Sequence, residues 1–161
     1  MIRLPSSVYE IYDEILRQLC SKRPDDIEDI RYILQWLVFC EVPLGLQQVA
    51  EIVSIRVGDR LLDESGIATD ILDLAACLGS FVTLHIENTS ANFYADLRGT
   101  ELIIITLSHY SVEEYLKSGQ MDTELAVKFP MNPYEVHLQC AKRCLQYIGF
   151  DDFNYPIEQP V

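Results

Sequence analysis

The sequence predicts a mainly α protein carrying one small β-hairpin, and three observations support this. Apolar residues recur at helical spacing in successive stretches before residue 80. Two β-branched runs, at 81–87 and 101–107, have strand composition instead. A short capped segment directly after the second run then returns the chain to helix.

The elements follow in order. Ser7 and Glu10 fit a capping box, and Val8, Ile11, Tyr12, Ile15, Leu16 and Leu19 form one apolar stripe. Glu10, Asp13, Glu14, Arg17 and Gln18 make the exposed face of that first helix. Ser21-Lys-Arg-Pro-Asp25 breaks it and supplies acidic caps for the next. From Ile27 to Phe39 the apolar residues nearly encircle the second helix, which places its C-terminal half in the core with Trp36 as an anchor. Pro43-Leu-Gly-Leu46 turns the chain into a third helix, where Leu46, Val49, Ala50 and Val53 repeat at i, i+3, i+4 and i+7. Asp70 fits as cap and Gly79 as stop for a fourth, Ile71 to Leu78.

Phe81 to Glu87 and Glu101 to Leu107 read as the arms of a hairpin across a long polar connection, Asn88 to Gly99. Helix, helix, turn, helix, hairpin is the order of a winged helix. The expected organisation is an N-terminal helix at 1–23 that ends a preceding helical region and a winged-helix domain at 24–118. A helical extension at 119–150 and an acidic tail or linker at 151–161 complete it.

The most informative stretch is Leu107-Ser-His-Tyr-Ser-Val-Glu-Glu-Tyr-Leu116. Ser111 and Glu114 fit a capping box, so His109 stands where a strand passes to a helix N-terminus, a place that can meet anions. From the residues alone, His109 either fixes this corner by local hydrogen bonds or faces an anion.

This segment resembles the F-x-H-x-S-x-x-E-[FY]-[LF] signature that closes the winged-helix domain of NACHT-type STAND proteins, the NLR-like signalling ATPases, and most closely its fungal H-[FY]-S-V-x-E-Y-L form. Leu4-Pro5 with Tyr12-Asp-Glu-Ile-Leu16 is similar to a second block of the family, and Ile33-Leu-Gln-Trp-Leu-Val-Phe39 with Pro43-Leu44 to a third. Ala141-Lys-Arg-Cys-Leu-Gln-Tyr-Ile148 resembles the A-x-x-C-L-x-Y-L that follows in fungal members, so the likeness spans residues 4 to 148. Such regions are also labelled GPI inositol-deacylase winged-helix domains. Two positions depart from the pattern: Gly45 stands where a Ser or Thr cap is usual, and the Asn88–Gly99 connection is peculiar to this chain.

The resemblance implies a regulatory module that couples the nucleotide state of an adjoining NACHT domain to downstream repeats, often ankyrin repeats. His109 would sense the phosphates of ADP held by that neighbouring domain. No nucleotide is expected in isolation, because the chain has no G-x-x-x-x-G-K-[ST] phosphate cradle. A free-standing protein-protein adaptor is the alternative.

Composition narrows the remaining classes. A net charge of −13 over 161 residues repels phosphate backbones and anionic membrane surfaces, so neither nucleic acid nor membrane is an expected partner. The helix expected in a DNA groove carries Asp70 and Asp73 and no basic residue, and the hairpin offers Arg98 against Glu87, Asp96 and Glu101. The chain has no signal peptide pattern and no apolar run of membrane-spanning length, which predicts a cytoplasmic protein. Catalysis is not expected. No G-x-S-x-G elbow occurs, and His109, Ser111, Glu113 and Glu114 are too close along one backbone to form an independent triad.

The five cysteines, Cys20, Cys40, Cys77, Cys140 and Cys144, form no C-x-x-C pair and read as reduced thiols. His137, Cys140 and Cys144 share a helix face at i, i+3 and i+7, but no fourth ligand is near, so no metal is expected. His85 and His137 are expected to be structural.

Overall fold

The computed structural model describes residues 6–55, 58–61, 67–87 and 102–151. It is mainly helical with a small antiparallel sheet. Helix α1 spans Ser6–Lys22, a 3-10 turn Pro24–Asp26, α2 Ile27–Phe39, β1 Leu44–Gly45, α3 Leu46–Ser54 and α4 Ile67–Cys77. The chain continues through β2 Val82–Glu87, β3 Leu102–Leu107, α5 Tyr110–Lys117, α6 Thr123–Lys128 and α7 Pro133–Ile148. The connection Asn88–Gly99, Arg98 with it, and the tail beyond Asp151 lie outside the described residues.

The β2–β3 hairpin forms as expected, pairing Val82 with Leu107 at one end and Glu87 with Leu102 at the other. Strand β1 is new relative to the sequence reading, which treats Pro43–Leu46 as a turn only. Two residues are too few for an alternation pattern. Leu44 and Gly45 nevertheless pair with Ile105 and Ile104, giving the strand order β1-β3-β2.

Helix α2 has the expected bounds, and Ile30, Ile33, Leu34 and Val38 are buried on it. Trp36, expected as a core anchor, is only half-buried and packs at the edge of the core. Gln35 takes the buried place instead, because its Nε2 donates to the carbonyl of Pro130 at 2.7 Å and so satisfies the amide. In α3 all four residues of the predicted repeat, Leu46, Val49, Ala50 and Val53, are buried. Gly45 cannot cap with a side chain, but its N–H donates to Gln48 Oε1 at 2.8 Å, the reciprocal half of a capping box.

Three local expectations are corrected. Asp70 does not cap α4, which already runs from Ile67. Asp26 is the residue before α2, but its side chain does not cap; its carboxylate accepts from Arg23 at 2.9 Å. The buried stripe of α1 is rotated from the predicted one: Tyr9 is buried, Ile11 is 58% exposed, and Asp13 is turned partly inward. The reason is tertiary. Tyr9 and Tyr12 both pack against Tyr115, at ring-centroid distances of 5.6 and 5.2 Å, and Tyr12 also packs against Phe81 at 5.5 Å. The Ser7 side chain lies outside the described ones.

Leu16, Ile30, Ile33, Leu34, Val49, Leu78, Phe81, Ile105 and Val112 belong to one core joining α1–α3, the sheet and α5. Leu125 and Phe129 bring the α6 region onto the same core. Each such side chain contributes about 1.5–3 kcal/mol by burial. Helix α7 is fastened differently. Arg143 donates through Nη1 to the carbonyls of Ile52 and Ile55, at 2.6 and 2.9 Å, which satisfies the C-terminal end of α3. Its guanidinium lies 3.7 Å from the centre of the Tyr32 ring.

Candidate functional site

The candidate site is the corner between β3 and α5. Ser108 follows β3 and fixes the corner, its N–H donating to the carbonyl of Phe81 at 2.8 Å and its Oγ to that of Ser80 at 3.0 Å. His109 follows with an extended backbone and is the N-cap of α5. Its Nδ1 accepts from the Ser111 N–H at 3.2 Å and meets Ser111 Oγ at 2.8 Å.

The predicted box of Ser111 with Glu114 is therefore not the one formed. The imidazole reaches the free backbone donor first, α5 starts at Tyr110, and Ser111 is left inside its first turn, buried. Ser111 Oγ instead lies 2.7 Å from the Tyr12 hydroxyl, 99 residues away. Glu114 Oε2 is enclosed and takes no hydrogen bond among the described residues.

These contacts order the protons. An imidazole nitrogen that accepts a backbone N–H carries no proton, so the neutral ring holds its proton on Nε2. Ser111 Oγ then donates to Nδ1 and accepts from the Tyr12 hydroxyl. His109 is an exposed residue whose ring packs tilted against that of Tyr110, centroids 4.2 Å apart, and Nε2 makes no hydrogen bond among the described residues. The corner thus holds one N–H donor, in a fixed tautomer, next to the positive end of a helix. An anionic oxygen is the group that such a donor suits.

The His109–Ser111 distance is also that of a base and a nucleophile. Ser111 Oγ, however, belongs to a residue only 6% exposed and faces Tyr12. Glu113 is turned away in an ion pair with Lys117 at 2.6 Å.

Sequence reading did not single out Tyr12, Asp13 and Tyr115 as parts of this corner. Tyr115 donates to Asp13 Oδ1 at 2.6 Å, and the same oxygen accepts the Asp122 N–H at 3.2 Å. Burial, and then the neighbouring Asp13 carboxylate, push the Tyr115 hydroxyl pKa well above its ordinary value. All three lie inside the quoted family blocks, Tyr115 in the first and Tyr12 and Asp13 in the second, but the blocks give them no role.

The other candidates lie apart. His85 is exposed on β2 opposite Ile104. His137 is exposed and sets its ring edge against Phe39, 5.6 Å away. Cys140 is half-buried, and Cys144 lines an apolar recess of about 370 Å³ with Trp36, Leu44, Ile52 and Ile148. Among the described residues, no three His, Cys, Asp or Glu side chains are placed to hold one metal ion. No described helix is long and apolar enough to cross a membrane.

No family model matches the chain, and no solved structure matches it. The chain is 27% identical over 149 residues to the azaphilone pigments biosynthesis cluster protein L of Monascus ruber, an alignment that covers 90% of this chain. It spans 28% of the length of that curated relative.

Proposed function

We propose that this chain is a non-catalytic regulatory and interaction module of an NLR-like NACHT protein of the cytoplasm. It couples the nucleotide state of an adjoining nucleotide-binding domain to downstream repeats. One observation carries the reading: His109 Nδ1 is occupied by Ser111, and the exposed ring keeps Nε2–H for an outside acceptor at a helix N-terminus. In the family that the sequence blocks resemble, this histidine meets an ADP phosphate.

Two further observations support it. The order α2-β1-α3-α4-β2-β3, with β1 added to the hairpin, agrees with a winged helix. A match to just over a quarter of a longer relative suits a module within a larger protein. The proposed two-state mechanism has ADP holding the module against the nucleotide domain through His109, and exchange for ATP releasing it.

The surface opposes the DNA-binding alternative. The exposed described residues of α4 are Leu72, Asp73, Ala76 and Cys77, and the Asp73 carboxylate is already paired with Arg23. A protein adaptor remains the second reading, favoured by the exposed apolar face of α7.

The test is nucleotide retention in the longer protein that contains the P-loop domain. The wild type should purify with ADP, and His109→Ala should release it at least about tenfold faster, the loss of one charge-assisted hydrogen bond. Equal release rates would overturn the sensor role. The 161-residue chain alone should give no calorimetric signal with ADP.

A further inference from the structure

Helix α7 is apolar on two nearly opposite sides. At 100° per residue, Val136, Cys140, Arg143 and Tyr147 fall on one face, and these are the residues turned toward α2 and α3. Tyr134, Leu138, Ala141, Leu145 and Ile148 fall on the other at alternating steps of four and three, the a/d seam of a coiled coil. All of them are exposed, Tyr134 at 78%, Leu145 at 71% and Ile148 at 68%. An isolated exposed leucine needs no explanation, but a continuous seam along a whole helix does.

The flanks of the seam are self-complementary. Glu135 and Lys142 stand seven residues apart on one side of it, both exposed and neither in an ion pair among the described residues. Two α7 helices laid antiparallel, with Leu138 of each opposite Ala141 of the other, place Tyr134 opposite Leu145 at both ends. Large then meets small in the middle layers. In the same register Glu135 of each copy meets Lys142 of the other, giving two equivalent ion pairs about a twofold axis. A parallel pairing would not bring these two charges together symmetrically.

We propose that the outer face of α7 is a homodimer seam, occupied by α7 of a second copy in this antiparallel register. Ile148, at the end of the seam, also lines the recess beside Trp36 and Leu44. Sixteen residues make a helix about 24 Å long, so the contact falls in the small interface class, below about 1,200 Å², which suits a reversible dimer. This proposal does not depend on the nucleotide reading of His109.

Sedimentation velocity on the 161-residue chain, from about 5 to 500 μM, tests it. The wild type should pass from monomer to dimer. Leu145→Glu should stay monomeric with an unchanged far-UV circular dichroism spectrum, since the residue is exposed. Glu135→Lys alone and Lys142→Glu alone each set like charges opposite and should weaken the dimer about tenfold. The double reversal Glu135→Lys with Lys142→Glu should restore it to within about threefold of wild type, because opposite charges face again. A wild type that is monomeric throughout would overturn the proposal. So would a dimer insensitive to Leu145→Glu, or a double reversal that behaves no better than the single ones.

Discussion

The Tyr115 hydroxyl donates to the Asp13 carboxylate at 2.6 Å, binding the first helix to the one that His109 caps. This bond crosses 102 residues of sequence, and Asp13 Oδ1 simultaneously accepts the Asp122 N–H. The orientation of the His109 corner is therefore set from α1.

Tyr115→Phe should lower stability by about 1.5–3 kcal/mol, as expected for a part-buried hydrogen bond to a charged acceptor. It should also change the alkaline limb of the stability curve. The hydroxyl pKa is raised by burial and then by Asp13, so the folded chain holds its proton where the unfolded chain releases it. The associated stability is complete below the unfolded value of about 10 and is lost as pH rises above it. Urea midpoints between pH 8 and 11 should fall more steeply for the wild type than for the variant.

His109→Ala should cost about 1 kcal/mol by removing the cap of α5. Ser111→Ala should cost about 1–2 kcal/mol by leaving the Tyr12 hydroxyl without its partner. A double-mutant cycle of Ser111→Ala with Tyr12→Phe should then show a coupling of at least about 0.5 kcal/mol, and strict additivity would deny the Tyr12–Ser111 hydrogen bond.

Arg143→Met keeps much of the stem and removes the fork. Loss of its bonds to the Ile52 and Ile55 carbonyls should destabilise the chain by about 2 kcal/mol. Arg143→Lys should recover only part of this, since one ammonium cannot also reproduce the stacking on Tyr32. Hydrogen exchange should locate the loss at the end of α3 and along α7.

Alkylation by iodoacetamide at about pH 8 should mark Cys77 and Cys144 first, because these are the exposed thiols. Burial, with Cys144 and Cys40 nearby, pushes the Cys140 thiol up to about 11, and burial also raises that of buried Cys20. At that pH only about one Cys140 in a thousand is thiolate, so mass spectrometry should find it and Cys20 modified mainly after denaturation.

Elements whose pattern is local and repeated are legible in the chain alone. Leu46, Val49, Ala50 and Val53 were readable as the buried face of α3, the bounds of α2 were readable from its apolar run, and both hairpin arms from their β-branched residues. These are consequences of periodicity, which a chain carries without its fold. The place of His109 between strand and helix was equally legible.

Long-range packing settles which side chain caps α5, which face of α1 is buried, and that Leu44–Gly45 joins the sheet. Each depends on a partner about 60 residues away or more: Tyr12 for Ser111, Tyr115 for Tyr9 and Asp13, and β3 for β1. Side chains with several acceptable local roles take the one that satisfies a buried donor or ring elsewhere, and leaving that group unpaired costs more than a local cap contributes. Ser111 could have capped its helix, but a distant tyrosine made it the link that holds the His109 proton on Nε2.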